Sequence, residues 1–269
     1  MRRGLGLYFK LIGVQLRSQM QFRVSFALDL VASALIVALE FGSLAVVFDK
    51  FGSVQGWTLG EVAFLYGLAE LSFVLMDMVF SGFDPRRFGV EVRKGTFDQI
   101  LLRPMSATLQ VLGSALALRR LGKTAFSLGI FVYALNNTDI LWSLDKLLYL
   151  PVVVLSMVLF FGGLFVVGAT FTFWTIDAIE VMNIVTYGGR TLISYPMSIY
   201  SAWMRHLFTF LIPAIFLNYY PALYFLDKPD PLGFPSFAFL LAPVAGLGVF
   251  ALALAFWGYG IRHYQSTGS

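Results

Sequence analysis

This 269-residue sequence predicts an all-α polytopic membrane protein with about six transmembrane helices, on three observations. Hydrophobic residues make up 58% of the chain and charged residues 13%, about half the charged share of an ordinary soluble domain. The apolar residues, with a mean hydropathy of +0.79, gather in long runs of the kind that cross a hydrocarbon layer about 30 Å thick. Lys and Arg fall almost wholly on one side of the implied topology, with only Lys50, Lys146 and Lys228 on the other. That bias predicts that both termini are cytoplasmic.

Residues 1–23 space Leu5, Tyr8, Phe9, Ile12 and Leu16 at helical intervals, with Arg2, Arg3, Lys10 and Arg17 between them. The pattern predicts an amphipathic helix lying in the membrane interface. Charge interrupts its apolar run and no small-residue cleavage site follows, so it does not read as a signal peptide. The first span is expected over about Val24 to Val47. The second, from Leu59 to about Phe80, opens on a Thr58–Glu61 capping box. A basic stretch, "DPRRFGVEVRKGTFDQILLRP", and a moderately apolar interfacial helix, Ser106 to Leu118, come next. A short third span, Leu121 to Asn136, has Arg119, Arg120 and Lys123 snorkelling from its start. The fourth span runs from Leu147 to Trp174 with Pro151 in its first turn. The fifth is expected over Leu207 to Phe225, broken by Pro213 and Pro221, and the sixth over Ser236 to Tyr259. The chain reads as one membrane domain, residues 1–269, with a bundle at 24–262 and a cytoplasmic region at 83–123.

Composition also narrows the chemistry. The net charge of +4 is accounted for by basic residues at helix ends facing anionic lipid, so no nucleic acid is expected as partner. The absence of cysteine excludes disulfides and thiolate metal sites. His206 and His263 are far apart, and no metal site is expected. "LGKT" at Leu121 to Thr124 lacks the upstream glycine of a phosphate loop, and no nucleophile elbow is present. No catalytic residue is assigned, and any ATP hydrolysis belongs to another subunit.

Asp29, Glu40, Glu70 and Asp77 lie within the first two spans, where an ionised carboxylate is costly unless it faces protein or water. Interhelical bonding or an interfacial position is the expectation for Asp29, and Glu70 is open. Asp177 and Glu180 are expected to pair with Arg190 or Arg205. Tyr187, Gly188, Gly189 and Arg190 read as a tight cytoplasmic turn before an interfacial helix. Pro213 and Pro221 bracket Asn218, Tyr219 and Tyr220. Backbone groups freed at membrane depth need protein or a cavity to satisfy them, so this cluster reads as an outer gate at a subunit interface.

The segment "VRKGTFDQILLRP", Val92 to Pro104, carries a Thr96-x-x-Gln99 capping-box pattern, a sharp start at Gly95 and a stop at Pro104. Phe97, Ile100 and Leu101 share one helical face. Spacing alone allows a helix lying on headgroups or one docked on a partner. The segment resembles the basic-Gly-x-x-Asp-x-x-Leu-x-Arg-Pro signature of type-2 ATP-binding-cassette (ABC) export permeases, of the half-size six-span branch. "YGGRTLISYPMSIY" and "FLIPAIFLNYYPALYFL" carry the same resemblance. It implies that residues 1–23 form an elbow helix. It also implies a coupling helix built from Arg93, Gly95, Asp98, Leu101, Arg103 and Pro104, with Phe97 and Ile100 as apolar anchors in a groove of an ATPase subunit. ATP and Mg2+ would then be bound by that partner and no cofactor by this chain. A second permease, identical or related, would contact the first and fifth spans. The function implied is ATP-driven export of a hydrophobic or amphipathic substrate across a bacterial or archaeal plasma membrane. An ATPase-independent channel or carrier, or a membrane scaffold, is the alternative.

Overall fold

The computed structural model describes residues 13, 23–115, 120–175 and 178–266. The expected elbow helix, apart from Gly13 and Arg23, lies outside the described residues, as do Arg119 and Asp177. Among the described residues the chain is helical, with one isolated antiparallel bridge, Val54 to Trp57, in the turn after the first helix.

Among the described residues four helices are long and apolar enough to cross a membrane, or five if one bent pair is counted as a span. The first, α1 (Arg23–Phe51), is followed by α2 (Leu59–Phe80), which continues through a 3-10 turn at Ser81–Phe83 into α3 (Pro85–Arg93). The capping box forms as expected: Glu61 N donates to Thr58 Oγ1, and Thr58 N donates to the Glu61 carboxylate at 2.8 Å. The short α4 (Thr96–Leu101) and α5 (Ala107–Gly113) precede α6 (Leu121–Asn136). The third long helix is α7 (Leu144–Phe171). It starts earlier than the sequence suggested, which places Pro151 inside the helix instead of in its first turn. The last long helix is α12 (Leu241–His263), entered through a 3-10 turn at Ala238–Leu240.

Between α7 and α12 the chain is broken into α8 (Ala178–Asn183), a π-helical turn at Ile184–Gly188, α9 (Gly189–Ile193), α10 (Ala202–His206), a second π-helical turn at Leu207–Leu211, and α11 (Ile215–Phe225). Two of the six expected spans therefore differ from their predicted form. With 16 residues, α6 is about 24 Å long, short of the hydrocarbon thickness. Its path along α2 is extended by the residues before it. Asn137 lies against Gly60, Phe131 against Gly67 and Val111 against Gly82, while the Ala115 carbonyl accepts from Ser81. The helix expected at the interface thus runs beside the far end of α2.

The fifth span differs more. Ala202–Phe210 meets Ile215–Phe225 at 103°, so the two do not form one straight helix. Residues 178–193 instead climb beside α2 and α7. Met182 lies near Gly168, Tyr187 packs on Phe73 and Phe165, and Arg190 reaches Glu70. Asn218, in α11, donates to the carbonyls of Ile193 (2.7 Å) and Leu65 (2.9 Å). The carbonyl at the end of α9 is thereby satisfied by the next helical piece. The rising element is discontinuous: 178–193 below and 215–225 above, with residues 194–214 making an excursion between them. The predicted turn at Tyr187 to Arg190 is helical: Gly188 ends the π-helical turn and Gly189 begins α9, both in ordinary right-handed conformation.

The bundle has two centres of packing. Phe83, Phe88, Phe97, Phe173, Trp257 and Tyr264 interlock at the end carrying Arg86 and Arg93, the basic end. At the opposite end Trp57, Phe64, Tyr149, Tyr219 and Phe225 do the same.

Candidate functional site

The segment at the basic end is assembled by its turn. Gly95 has φ +68°, a left-handed conformation that is cheap only for glycine. It turns α3 back into α4 and is itself the residue before the helix. Thr96 is therefore inside the helix and does not cap it; its hydroxyl donates to the Glu91 carbonyl at 2.8 Å. Phe97 is fully buried among Phe88, Phe173, Trp257 and Tyr264. This corrects the expectation that Phe97 anchors a partner: the ring points into its own chain. Ile100 is partly buried against the same core. Asp98 accepts from the Ser266 hydroxyl at 2.7 Å, tying the C-terminal tail to the helix. Burial, with the Asp98 carboxylate nearby, pushes the Tyr264 phenol up to about 12, so it stays neutral at physiological pH. Gln110 donates to the carbonyls of Ile100 and Met105, both at 2.9 Å, and Arg93 donates to the Gly89 carbonyl. The tip faces outward, with Leu101 at 39% exposure, Leu102 at 86%, Arg103 and Pro104, and Arg93, Lys94, Thr96 and Gln99 are exposed beside it. Leu102 was not singled out from the sequence, although it is the most exposed apolar residue of the segment.

The second constellation lies midway along α2. Glu70 is fully buried. Lys123 Nζ lies 2.6 Å from one of its oxygens, and Arg190 donates to the other. Arg190 also lies 3.6 Å from Glu40 of α1, whose carboxylate accepts from Tyr66 Oη at 2.9 Å. One helical stretch further along, Arg120 pairs with Asp77 at 2.9 Å. Four elements, α1, α2, α6 and α9, thus converge on two carboxylates and two cations. Lys123 and Arg120 point into the bundle and do not snorkel out, because Glu70 and Asp77 offer what hydrocarbon cannot. Arg190 does not pair with Glu180; that carboxylate instead makes an exposed contact with Arg86 at 3.5 Å. Removing one partner from such a buried set leaves an uncompensated charge, a cost of about 3–5 kcal/mol.

At the opposite end, Pro213 sits in the 103° bend, whereas α11 continues through Pro221, so only one of the two expected breaks is present. Asn218 and Tyr219 are fully buried and Tyr220 nearly so. Tyr219 packs on Trp57, and Tyr220 packs on Phe216 and Phe234. These side chains close the chain's own core and present no surface to a second permease, which corrects the expectation of a subunit contact there. Two ion pairs surround them: Lys228 with Glu61 at 2.7 Å and Lys146 with Asp227 at 2.6 Å. A cavity of about 430 Å³ opens beside Tyr220, Tyr224 and Phe239.

Comparison with curated proteins and with solved structures returned no match. The sequence profile of the family described as ABC-2 family transporter protein matches residues 34–268, which takes in the chain from the middle of α1 onward, with the tip and the buried ion pairs. The chain belongs to the ABC-2 transporter family and is a permease subunit of an ABC transporter.

Proposed function

We propose that this permease exports an amphipathic or hydrophobic substrate, driven by a separate ATPase subunit that docks on the α4 tip and works on two permeases side by side. The observation that carries this reading is the form of the tip. Leu101, Leu102, Arg103 and Pro104 are outward, while Phe97, Gln110 and the Asp98–Ser266 bond fix them to the bundle behind. A rigid exposed apolar residue beside an arginine is what a partner groove reads, and a helix that only lay on lipid would not need its base bonded at three places. Within this reading the basic end is cytoplasmic, in a plasma membrane, and ATP with Mg2+ is held by the partner. Motion imposed at the tip passes through α3 into α2, with which it is continuous, and so to the Glu70 junction. The discontinuous span supplies the joint for alternating access, since broken helices are tolerated where protein or a cavity re-satisfies the backbone.

The test is copurification. A tagged permease should bring down a subunit with ATPase activity from its native host. Leu102→Asp should abolish that association while expression and membrane insertion stay at the wild-type level. An unchanged complex from Leu102→Asp together with Arg103→Ala would remove the tip from the docking site. Transport by the purified permease without any ATPase would favour the channel or carrier reading.

A further inference from the structure

The helix α1 has three faces, and only two are explained by packing and lipid. Val37, Leu44 and Phe48 are buried against the bundle. Leu28, Val31, Leu35, Leu39 and Val46 are exposed, as expected of a surface against hydrocarbon. The third face carries the polar side chains, interspersed with the exposed Ile36 and Val47. Ser25, Asp29, Ser33, Glu40 and Ser43 follow one another at intervals of four, four, seven and three residues. At 3.6 residues per turn they fall within an arc of about 80°. The hydroxyls of Ser33 and Ser43 donate to the carbonyls of Leu30 and Glu40.

Glu40 is the focus of this stripe. It lies about 4 Å from the midpoint of the span Val24–Phe51, at the level of Tyr66 and Glu70. Its side chain is 40% exposed. Both Tyr66 and Arg190 approach the same oxygen, Oε2; Oε1 has no partner among the described residues. A half-exposed carboxylate at this depth is not tolerated against lipid and faces water or protein. The cations of the junction, Lys123 and Arg190, lie behind it on Glu70. The stripe itself carries two carboxylates and no cation.

Resting on the permease reading above, we propose that this stripe lines the aqueous translocation path and that Glu40 is the contact for a cationic, hydrogen-bond-donating group of an amphipathic substrate. The exposed Oε1 accepts from that group while Tyr66 and Arg190 hold the carboxylate in place. The apolar remainder of the substrate lies against Ile36 and Val47, which are exposed within the same arc.

The chain has no cysteine of its own, so single cysteines report without background. In native membranes, without added nucleotide, Ser33→Cys and Ser43→Cys are to be treated with a trimethylammonium methanethiosulfonate and with its sulfonate analogue, alongside Leu35→Cys and Leu39→Cys. Both stripe positions should react at least tenfold faster than the two leucine positions. At Ser43→Cys the cationic reagent should outpace the anionic one, and Glu40→Gln should remove that preference. With Glu40 intact, tetraphenylphosphonium should slow labelling of Ser43→Cys at least threefold, and tetraphenylborate should not. Stripe cysteines as inert as the leucine positions, or protection that does not distinguish the two organic ions, overturns the proposal. Labelling needs no turnover, so Leu102→Asp should leave it unchanged; failure of ATPase docking and failure of the path are separate results.

Discussion

The α7–α12 pair and the seat of α9 on α1 and α2 both hold helices together in hydrocarbon, by different means. Along α7–α12 the contact is backbone on backbone. A Cβ at Gly246 would lie 2.4 Å from the Ser156 carbonyl oxygen, and one at Gly163 would lie 3.2 Å from the Phe250 Cα. Small residues bring the helices close, and the many weak contacts that result have one register in which they fit. Where α9 meets α1 and α2, by contrast, the guanidinium of Arg190 reaches buried and half-buried carboxylates. Arg190 has two carboxylates within reach, Glu70 and Glu40. It can shift its weight from one to the other without ever becoming a bare charge. The greasy pair is therefore fixed in one register, whereas α9 is held by a cation that has two carboxylate partners.

Four predictions break or sharpen this contrast. The largest effect is expected from Glu70→Ala, which strands Lys123 and leaves Arg190 with Glu40 alone. It should cost about 3–5 kcal/mol, read as a loss of folded protein in a detergent thermal-shift assay. Adding Lys123→Met to Glu70→Gln should recover more than half of that loss, because Arg190 keeps Glu40; if the double variant is no better than Glu70→Ala, the junction is not held by charge balance. Phe97→Ala, in the aromatic cluster at the basic end, is expected to lose about 3–5 kcal/mol as a core cavity. That outcome separates a core residue from a docking anchor, since an anchor would leave the permease's own melting point unmoved. Gly246→Ala should cost about 1–3 kcal/mol through overpacking, while Gly248→Ala, which meets nothing within 4 Å, should change the melting point little. Equal shifts for the two would mean that α7 and α12 are not locked in register. The smallest stability effect belongs to Leu102→Asp, within about ±0.5 kcal/mol, although its effect on ATPase association is expected to be complete.

These regions were not equally legible in the sequence. The ends of α2 and the existence of α1, α7 and α12 follow from long apolar runs and a capping box, which are local signals. The basic-end segment was found because its glycine, proline and charges are local too, but periodicity could not say which way its apolar face points. Phe97 turned out to face Trp257, 160 residues away in sequence by numbering. The fifth span was misread because its two halves are separated by 194–214, and the lower half carries Thr186, Tyr187 and Arg190, residues that resemble a loop until Glu70 is brought beside them. That pair spans 120 residues. A signal was present: Glu70 and Asp77 lie in a span and need cations, and Arg120 and Lys123 open the next one. The polar stripe of α1 was equally visible as spacing, but an apolar run read for its length does not show which turn each serine falls on.

The divided rising element has a consequence for how the protein is made. Segment 178–193 is about 24 Å long and α11, with 11 residues, about 16 Å. Neither reaches across a hydrocarbon layer of about 30 Å, and the lower piece carries Arg190. An insertion machinery that tests segments one at a time, as they emerge from the ribosome, would reject both. The lower piece becomes acceptable only once α2 is in place to supply Glu70, and the upper one only once Asn218 can reach Ile193 and Leu65. Segments 178–193 and 215–225 therefore enter the bilayer against helices already there, unlike α7 and α12, which are long and apolar enough to insert alone.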